Sequence, residues 1–237
     1  MKLKKLLLPT VVGLLPILMG VAVYSKLPEK MPIHWGLDGE PNGFATKWVG
    51  ILILPLIMVV VNLIVQLSLE TAPKTNLKLG KLMLWLLPIM SVIFQILILS
   101  QALGYHVEIG LITMVIIGIV LIMLGNYIPK TSQNRVAGFR FPMTMRNPDN
   151  WQKTNRLGGM MLVISGILMI TGGIISIWYP MVVVLTFIVI FVLIVLVPLG
   201  YSIRLAHNHD LMACEYQKHL KIYILRCFFM FLGYVYT

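Results

Sequence analysis

Charged residues are scarce in this sequence, and acidic ones most of all. Only 11% of the 237 residues are charged, with 8 Asp or Glu against 19 Lys or Arg, while 59% are apolar. A water-soluble domain needs more polar and charged side chains than this to cover its surface. The composition therefore excludes a soluble globular protein and predicts a protein that crosses a membrane several times.

Cysteine is nearly absent as well. The chain has two, Cys214 and Cys227, so a framework of disulfides is excluded. Both follow the last long apolar run, on the side of the membrane that we expect to face a reducing compartment. We therefore expect two unpaired thiols that behave as small apolar side chains.

Ionisable residues are missing from the interiors of the long apolar runs. Each run has about 20 residues, enough to cross the roughly 30 Å hydrocarbon core as a helix. The six predicted spans are residues 6–24, 48–69, 82–103, 109–128, 157–178 and 180–203. Ion-coupled transporters usually need a charged group at membrane depth, so this pattern argues against one. The predicted fold class is an all-α, polytopic membrane helix bundle of six transmembrane helices.

The positive charges lie mainly on one side of these spans. The termini and the segments 70–81 and 129–156 hold 16 Lys and Arg, whereas the alternate segments hold 3. Because Lys and Arg near span ends stay in the cytoplasm, both termini are predicted to be cytoplasmic. The net charge of +11 then reflects topology and contact with membrane lipids. No direct nucleic-acid partner is expected.

The chain divides into a membrane domain, residues 1–205, and a cytoplasmic or interfacial tail, residues 206–237. Within the membrane domain, residues 25–47 are named the outer loop and residues 129–157 the inner loop, after their expected sides. The tail ends in an apolar stretch, 222–236. That stretch is too short for a seventh span, so we expect it to lie in the membrane interface or on the bundle.

A few polar and small residues stand inside the spans. Three amides are expected to form hydrogen bonds between helices: Asn62, Gln66 and Gln95. Small residues of the fifth span are expected to let a neighbouring helix approach closely: Gly166, Gly172, Gly173 and Ser176.

Proline and glycine recur through the outer loop and predict successive turns rather than a helix. Three of its residues could ligate a metal or perform acid–base chemistry: His34, Asp38 and Glu40. A second loose group lies in the tail: His207, His209, Asp210 and Cys214. Neither group has the paired-ligand spacing of a zinc site. Local hydrogen bonding is favoured, and no metal, cofactor or catalytic residue is predicted.

The inner loop has a different character. Its arginines are five and six residues apart and so do not share one helical face: Arg135, Arg140 and Arg146. Pro142 and Pro148 favour a loop built of turns, up to Asp149 or Asn150, which is predicted to cap a short helix containing Trp151. Topology requires positive charge but not so many Asn, Gly and Pro residues. A shaped binding surface is therefore predicted.

Both loops carry recognisable motifs. LPEKMPIHW (27–35), followed by GEPNGF (39–44) and Lys47, resembles the outer segment of a small membrane domain of unknown function in bacterial proteins. GNYIPK (125–130), GFRFP (138–142) and NWQKTNRLGG (150–159) resemble the SdpI immunity-protein family. The chain departs from that pattern at Met143-Thr144 and Thr154-Asn155, where the family favours Trp-Thr and Thr-His.

This resemblance implies a non-enzymatic, multi-pass protein of the bacterial cytoplasmic membrane that protects the cell from a secreted peptide toxin. It also implies a signalling role, in which a cytosolic autorepressor is held at the membrane. Residues expected to sense the toxin are Pro32, His34, Trp35, Gly39, Glu40, Pro41 and Gly43. Residues expected to face the cytosolic partner are Asn126, Pro129, Asn134, Arg135, Gly138, Arg140, Pro142, Arg146, Trp151, Thr154 and Arg156.

Two other functions remain open at this point. A transporter or exporter of a small apolar or peptide substrate is favoured by the prolines inside the spans and opposed by the missing intramembrane charge. A membrane enzyme would act through His34, Asp38 and Glu40. Alanine replacement separates these readings, because an enzyme should lose activity from a single change, whereas a binding loop should weaken gradually.

Overall fold

The computed structural model describes residues 3–37, 39–70 and 77–208. Seven helices and two strands follow in chain order within these ranges: α1 (Leu3–Ala22), β1 (Lys30–Trp35), β2 (Pro41–Thr46), α2 (Lys47–Glu70), α3 (Leu77–Ala102), α4 (Ile109–Tyr127), α5 (Pro142–Arg146), α6 (Pro148–Ser176) and α7 (Val182–Asn208). Short 3-10 turns stand at Tyr24–Lys26 and Ile128–Lys130. A π-helical segment, Val192–Leu196, lies within α7.

Within the described ranges, five helices are long and apolar enough to cross a membrane, namely α2, α3, α4, α6 and α7, and α1 is a shorter apolar helix. Each of the six predicted spans corresponds to one of these helices, so the prediction of an all-α membrane helix bundle is confirmed. The long helices alternate in direction, since the hairpin meets the end of α3, the start of α4 and the turn from α6 to α7. The hairpin of β1 and β2 therefore lies at one end of the bundle, the hairpin end, and the inner loop at the other, the loop end.

Glycines bring α4 and α6 together at close range. A Cβ atom built on Gly118 would lie 2.6 Å from the backbone oxygen of Gly166, and one on Gly125 would lie 2.6 Å from that of Gly159. Gly172 and Gly173 were also predicted to let a neighbouring helix approach closely, and they do: Gly172 lies against α7 and Gly173 against α4. Ser176 differs, because its hydroxyl donates a hydrogen bond to Gly173 O of its own helix (2.7 Å).

The amides predicted to join helices lie between α1, α2 and α3. Gln66 Nε2 donates to Thr10 Oγ1 (3.4 Å), and Gln95 Nε2 donates to Gly50 O (3.1 Å). The prediction is confirmed for these two residues. Asn62 is also buried, but neither of its amide atoms is hydrogen-bonded among the described residues.

The outer loop is a β-hairpin, whereas the sequence predicted successive turns. β1 and β2 pair antiparallel from Lys30↔Thr46 to Trp35↔Pro41, with irregular register around His34. Proline is tolerated here because both strands of a two-stranded sheet are edges, where a backbone N–H has no required partner. The turns are confined to the tip, where Gly39 has a φ of +79°, a conformation that glycine adopts without steric cost.

The helix predicted to be short at Trp151 is instead the first part of α6. Its cap is Asn147, whose Oδ1 accepts hydrogen bonds from the backbone N–H groups of Asp149 (2.9 Å) and Asn150 (3.3 Å). Hydropathy rises only from Leu157 because the preceding turns are polar. They are helical nonetheless, since they bury Trp151 and their polar side chains against the inner loop.

Several predictions fall outside the described residues. These are the role of Asp38, the two thiols Cys214 and Cys227, the group of His209, Asp210 and Cys214, and the apolar stretch 222–236. The start of the predicted tail does lie within the described residues. Because α7 continues to Asn208, residues 206–208 belong to the last transmembrane helix.

Candidate functional site

The hairpin is held on the bundle by a buried root. Met31 is fully buried and packs in one apolar cluster with Leu27, Ile51 of α2 and Leu99 of α3. Further out, Trp35 Nε1 donates a hydrogen bond to Gln101 Oε1 of α3 (2.6 Å). Apolar packing at the root and a hydrogen bond near the tip together fix the orientation of the hairpin.

A cleft of about 530 Å³ opens beside the hairpin. Its walls come from distant parts of the chain: Ile33 to Leu37 of the hairpin, Glu108 to Met114 at the start of α4, and Ser176 to Phe187 around the turn from α6 to α7. We name this space the hairpin cleft. Mixed apolar and polar walls of this size are typical of ligand-binding clefts.

The predicted toxin-sensing residues do not all reach this cleft. Three of them line it: His34, Trp35 and Gly39. Pro32 is buried at the root, and the others stand elsewhere on the hairpin: Glu40, Pro41 and Gly43. His34 Nδ1–H donates to Asn42 Oδ1 across the strands (2.5 Å). Among residues 3–37, 39–70 and 77–208, no three His, Cys, Asp or Glu side chains come together as a metal site.

The hairpin also exposes large apolar side chains. Ile33, Leu37 and Phe44 are 40%, 52% and 54% exposed. Ile33 and Leu37 face the hairpin cleft, whereas Phe44 does not line it. Exposed apolar residues grouped beside a cleft are characteristic of surfaces that bind a partner or a membrane.

At the other end of the bundle, Asn134 folds the first part of the inner loop. Its Oδ1 accepts hydrogen bonds from the backbone N–H groups of Val136 (2.8 Å) and Ala137 (2.9 Å). Its Nδ2 donates to the carbonyls of Ser132 (2.8 Å) and Ala137 (3.2 Å). One buried amide therefore satisfies four backbone groups, which is why asparagine is suited to a turn of this kind.

The polar start of α6 holds the rest of the loop. Trp151 Nε1 donates to Thr131 O (3.0 Å), and Asn155 Oδ1 accepts from the N–H of Phe139 (2.8 Å). Gly138 has a φ of +124°, and a Cβ there would lie 2.6 Å from Asn155 Oδ1 and 2.8 Å from the Trp151 ring. Only glycine fits this position, because both the conformation and the space exclude a side chain.

A third group of polar residues links α6 to α7. Asn150 Nδ2 donates to Ser202 O, and the hydroxyls of Ser202 and Thr154 both donate to Asn150 Oδ1, each at 2.9 Å. All three side chains are buried. The inner loop, α6 and α7 therefore form one hydrogen-bonded unit at the loop end.

The structure divides the predicted partner-facing residues into two groups. Asn134, Trp151 and Thr154 are buried, at 8%, 2% and 0% exposure, so a partner would meet the surface that they support. Six residues of the set are exposed: Asn126, Arg135, Arg140, Pro142, Arg146 and Arg156. The other two, Pro129 and Gly138, are half-buried.

Sequence reasoning missed Asn155 and Phe139 as residues of this site. An asparagine inside a helix is weakly unfavourable, because its amide competes for backbone groups. Asn155 could therefore have been identified from the sequence, since such a residue usually forms a hydrogen bond with another part of the chain. Phe139 had no comparable signal: its ring lies against Gly158, which only the folded loop shows.

A second concave surface lies between the inner loop and α7. It measures about 590 Å³ and is lined by Arg135 and Arg140, by the aromatic rings of Phe139 and Phe141, and by Ile194 and Val195 of α7, together with Gly138 and Met145. We name it the basic groove. Arg135 and Arg140 therefore line the groove, whereas the other described arginines of the loop end are exposed outside it: Arg146, Arg156 and Arg204.

Comparison with known proteins assigns both parts of the chain. Residues 11–59 match a domain of unknown function (DUF1648), and residues 130–202 match the SdpI/YfhL protein family. The immunity protein SdpI of Bacillus subtilis (strain 168) is 31% identical over 163 residues, which cover 69% of this chain and 78% of that protein. No solved structure matches the chain. An identity of this level across most of both chains shows that the protein is a multi-pass membrane protein belonging to the SdpI/YfhL family.

Proposed function

We propose that this protein is a non-enzymatic immunity protein of the bacterial cytoplasmic membrane, which protects its cell from a secreted peptide toxin. The observation that carries the proposal is the 31% identity to a protein named an immunity protein, over 78% of that protein's length. The hairpin supports it, because a membrane-active peptide is apolar and the hairpin presents exposed apolar side chains beside a cleft.

The hairpin cleft is the proposed toxin contact. Its walls combine Ile33, Leu37 and the Trp35 ring with residues of α4 and of the turn from α6 to α7. A peptide bound there would touch both halves of the chain at once. A ligand in this position would therefore influence how the two halves pack, and shifts of packed helices are one known form of switching transition.

The topology that this function needs is open to a direct measurement. With Cys214 and Cys227 replaced by serine, Leu37→Cys places a single thiol on the exposed hairpin and Gln152→Cys places one on the exposed surface at the loop end. We expect a membrane-impermeant maleimide to modify only the first in intact cells, and both after permeabilisation. Labelling of position 152 alone in intact cells would reverse the orientation and exclude external sensing by the hairpin.

Protection itself is tested by a matched pair of substitutions on the hairpin. Leu37→Glu and Phe44→Glu introduce the same charge at positions of nearly equal exposure, 52% and 54%, but only Leu37 lines the hairpin cleft. In a sensitive bacterium challenged with peptide toxins encoded beside the gene, we expect the wild type and Phe44→Glu to survive. Leu37→Glu should lower the tolerated concentration about tenfold, which corresponds to about 1.4 kcal/mol of binding.

Other outcomes of this challenge are equally informative. Loss of protection in both variants would move the contact from the cleft to the whole hairpin face. No protection by the wild-type chain against any such peptide, at confirmed expression, would contradict the immunity function.

The inner loop supports an extension of the proposal to signalling. Arg146 and Arg156 are exposed outside the basic groove, on a loop that the buried network around Trp151 and Asn155 holds in one shape. We infer that they contact an acidic surface of a cytosolic regulator. Single exposed charge contacts contribute about 0 to 1 kcal/mol each, so a fixed arrangement is needed for them to act together. If a substitution releases the inner loop from α6 and the regulator still stays at the membrane, that result would contradict this extension.

A further inference from the structure

The basic groove combines two kinds of surface, one cationic and one apolar. On one side stand the guanidinium groups of Arg135 and Arg140, both exposed. On the other stand Phe141 of the inner loop and Ile194 and Val195 of α7. A ligand that satisfies both sides must have an anionic part and an apolar part, because an exposed apolar wall gains nothing from a purely charged ligand.

The two sides also differ in their place relative to the membrane-spanning helices. Asn150 at the start of α6 bonds to Ser202 near the end of α7, which places both residues at the loop end. Ile194 and Val195 precede Ser202 by about two helical turns, or about 10 Å at 1.5 Å per residue, and so lie at about the level of Leu157, where the apolar part of α6 begins. They therefore stand where the acyl chains of a lipid would begin, while the arginines belong to the loop beside them.

The arginines are arranged rather than merely close. A guanidinium N–H of Arg140 donates to the backbone oxygen of Arg135, which ties the two positions together. Toward the part of the chain that the structure describes, the other N–H donors of these two side chains make no further hydrogen bond, so a ligand can use them. The loop that carries them is fixed through Phe139 to Asn155. Arginine's planar set of donors suits phosphate oxygens, to which it binds in a bidentate manner.

The apolar wall has its own irregularity. Ile194 and Val195 belong to the π-helical segment of α7, Val192–Leu196. Such single-turn π segments occur frequently at functional sites, because the inserted residue redirects the neighbouring side chains. Two residues of this segment, Ile194 and Val195, line the groove.

We propose that the basic groove binds an anionic phospholipid of the leaflet at the loop end. Its phosphate lies between Arg135 and Arg140, and an acyl chain runs along Phe141, Ile194 and Val195. Ile194 and Val195 belong to the membrane-spanning helix α7, which a lipid reaches from within the bilayer, and inorganic phosphate leaves that wall uncovered. Basic pockets beside transmembrane helices are known to suit anionic head groups. This site is independent of any toxin.

The experiment uses the purified full-length chain in detergent, titrated with phosphatidylglycerol, phosphatidylcholine or inorganic phosphate, with bound lipid counted by native mass spectrometry. We expect saturable binding of phosphatidylglycerol and little of phosphatidylcholine. Arg135→Gln with Arg140→Gln should weaken phosphatidylglycerol binding on the order of thirtyfold. Arg146→Gln with Arg156→Gln removes the same charge outside the groove and should leave the affinity unchanged.

A second variant tests the apolar wall with the charges intact. Ile194→Trp fills the space along the π segment and should also weaken phosphatidylglycerol binding, whereas inorganic phosphate should not compete at equal concentration. Equal losses in the two arginine pairs would mean general attraction between charges and would overturn the site. Competition by inorganic phosphate would overturn the lipid assignment. So would an unchanged affinity for phosphatidylglycerol in both the double variant Arg135→Gln/Arg140→Gln and Ile194→Trp.

Discussion

Gly118→Leu is expected to lower the melting temperature of the purified protein on the order of 10 °C. A Cβ atom at this position would lie 2.6 Å from the backbone oxygen of Gly166 and 2.6 Å from Ile170 Cγ1. Overpacking a close contact costs about 1–3 kcal/mol, and a contact with backbone belongs at the upper end because a carbonyl cannot change rotamer. For a chain of this size, about 1 kcal/mol shifts the melting temperature by 2–4 °C.

The effect should be specific to the helix contact. In a membrane, neighbouring apolar helices are not driven together by water, so close packing of small residues provides much of the association. Gly200→Leu in α7 is the matched control, since a Cβ there would have no heavy atom of the described neighbouring residues within 4 Å. Thermal unfolding of both variants in detergent, followed by size-exclusion chromatography, makes the comparison. Equal melting temperatures would show that α4 and α6 can separate without loss of stability.

Asn155→Leu is expected to release the inner loop while leaving the bundle folded. The wild-type amide accepts the N–H of Phe139 (2.8 Å) and donates to Trp151 O (2.9 Å). Leucine has nearly the same size but leaves the Phe139 N–H without its acceptor, at a cost of about 1–3 kcal/mol. If opening is fast, trypsin cleavage after Arg135 and Arg140 follows the population of the open loop and should rise on the order of ten- to a hundredfold.

Asn126→Leu provides the control, because it makes the same chemical change at an exposed residue whose Oδ1 accepts a hydrogen bond from Lys130 Nζ in the neighbouring turn (3.1 Å). Its cleavage rate should match the wild type. Membrane co-fractionation of candidate regulators, with and without toxin, gives a second measurement on Asn155→Leu, in which recruitment should be lost. Asn126 belongs to the set expected to face the partner, so Asn126→Leu serves as the control for proteolysis alone. Unchanged proteolysis in Asn155→Leu would mean that other contacts hold the loop.

The transmembrane helices were predictable because their cause is local. A run of about 20 apolar residues satisfies its own backbone hydrogen bonds as a helix and matches the thickness of the hydrocarbon core, so each predicted span has its helix. Gln66 and Gln95 were predictable for the same reason, since an amide inside such a run needs a partner. The family was recognisable from motifs in the two loops, whose spacing is also a property of the chain alone.

The roles of individual motif residues were less accessible. Trp151 and Thr154 were expected to face a partner, yet they are buried and support the loop. Their chemistry is compatible with either role, and burial depends on which surface packs over them. Hydropathy did not predict that α6 starts as early as Pro148, because tertiary contacts, rather than apolar residues, stabilise its first turns.

By itself, then, the sequence determined a bundle of apolar helices, a shaped loop at each end and membership of a recognisable family. Tertiary structure alone decided the sites. The hairpin cleft joins Leu37 to Phe187, and the basic groove joins Arg140 to Ile194. Glycines such as Gly118 and Gly166 likewise set how closely α4 and α6 pack. Such distances are properties of pairs of helices, which no single stretch of sequence contains.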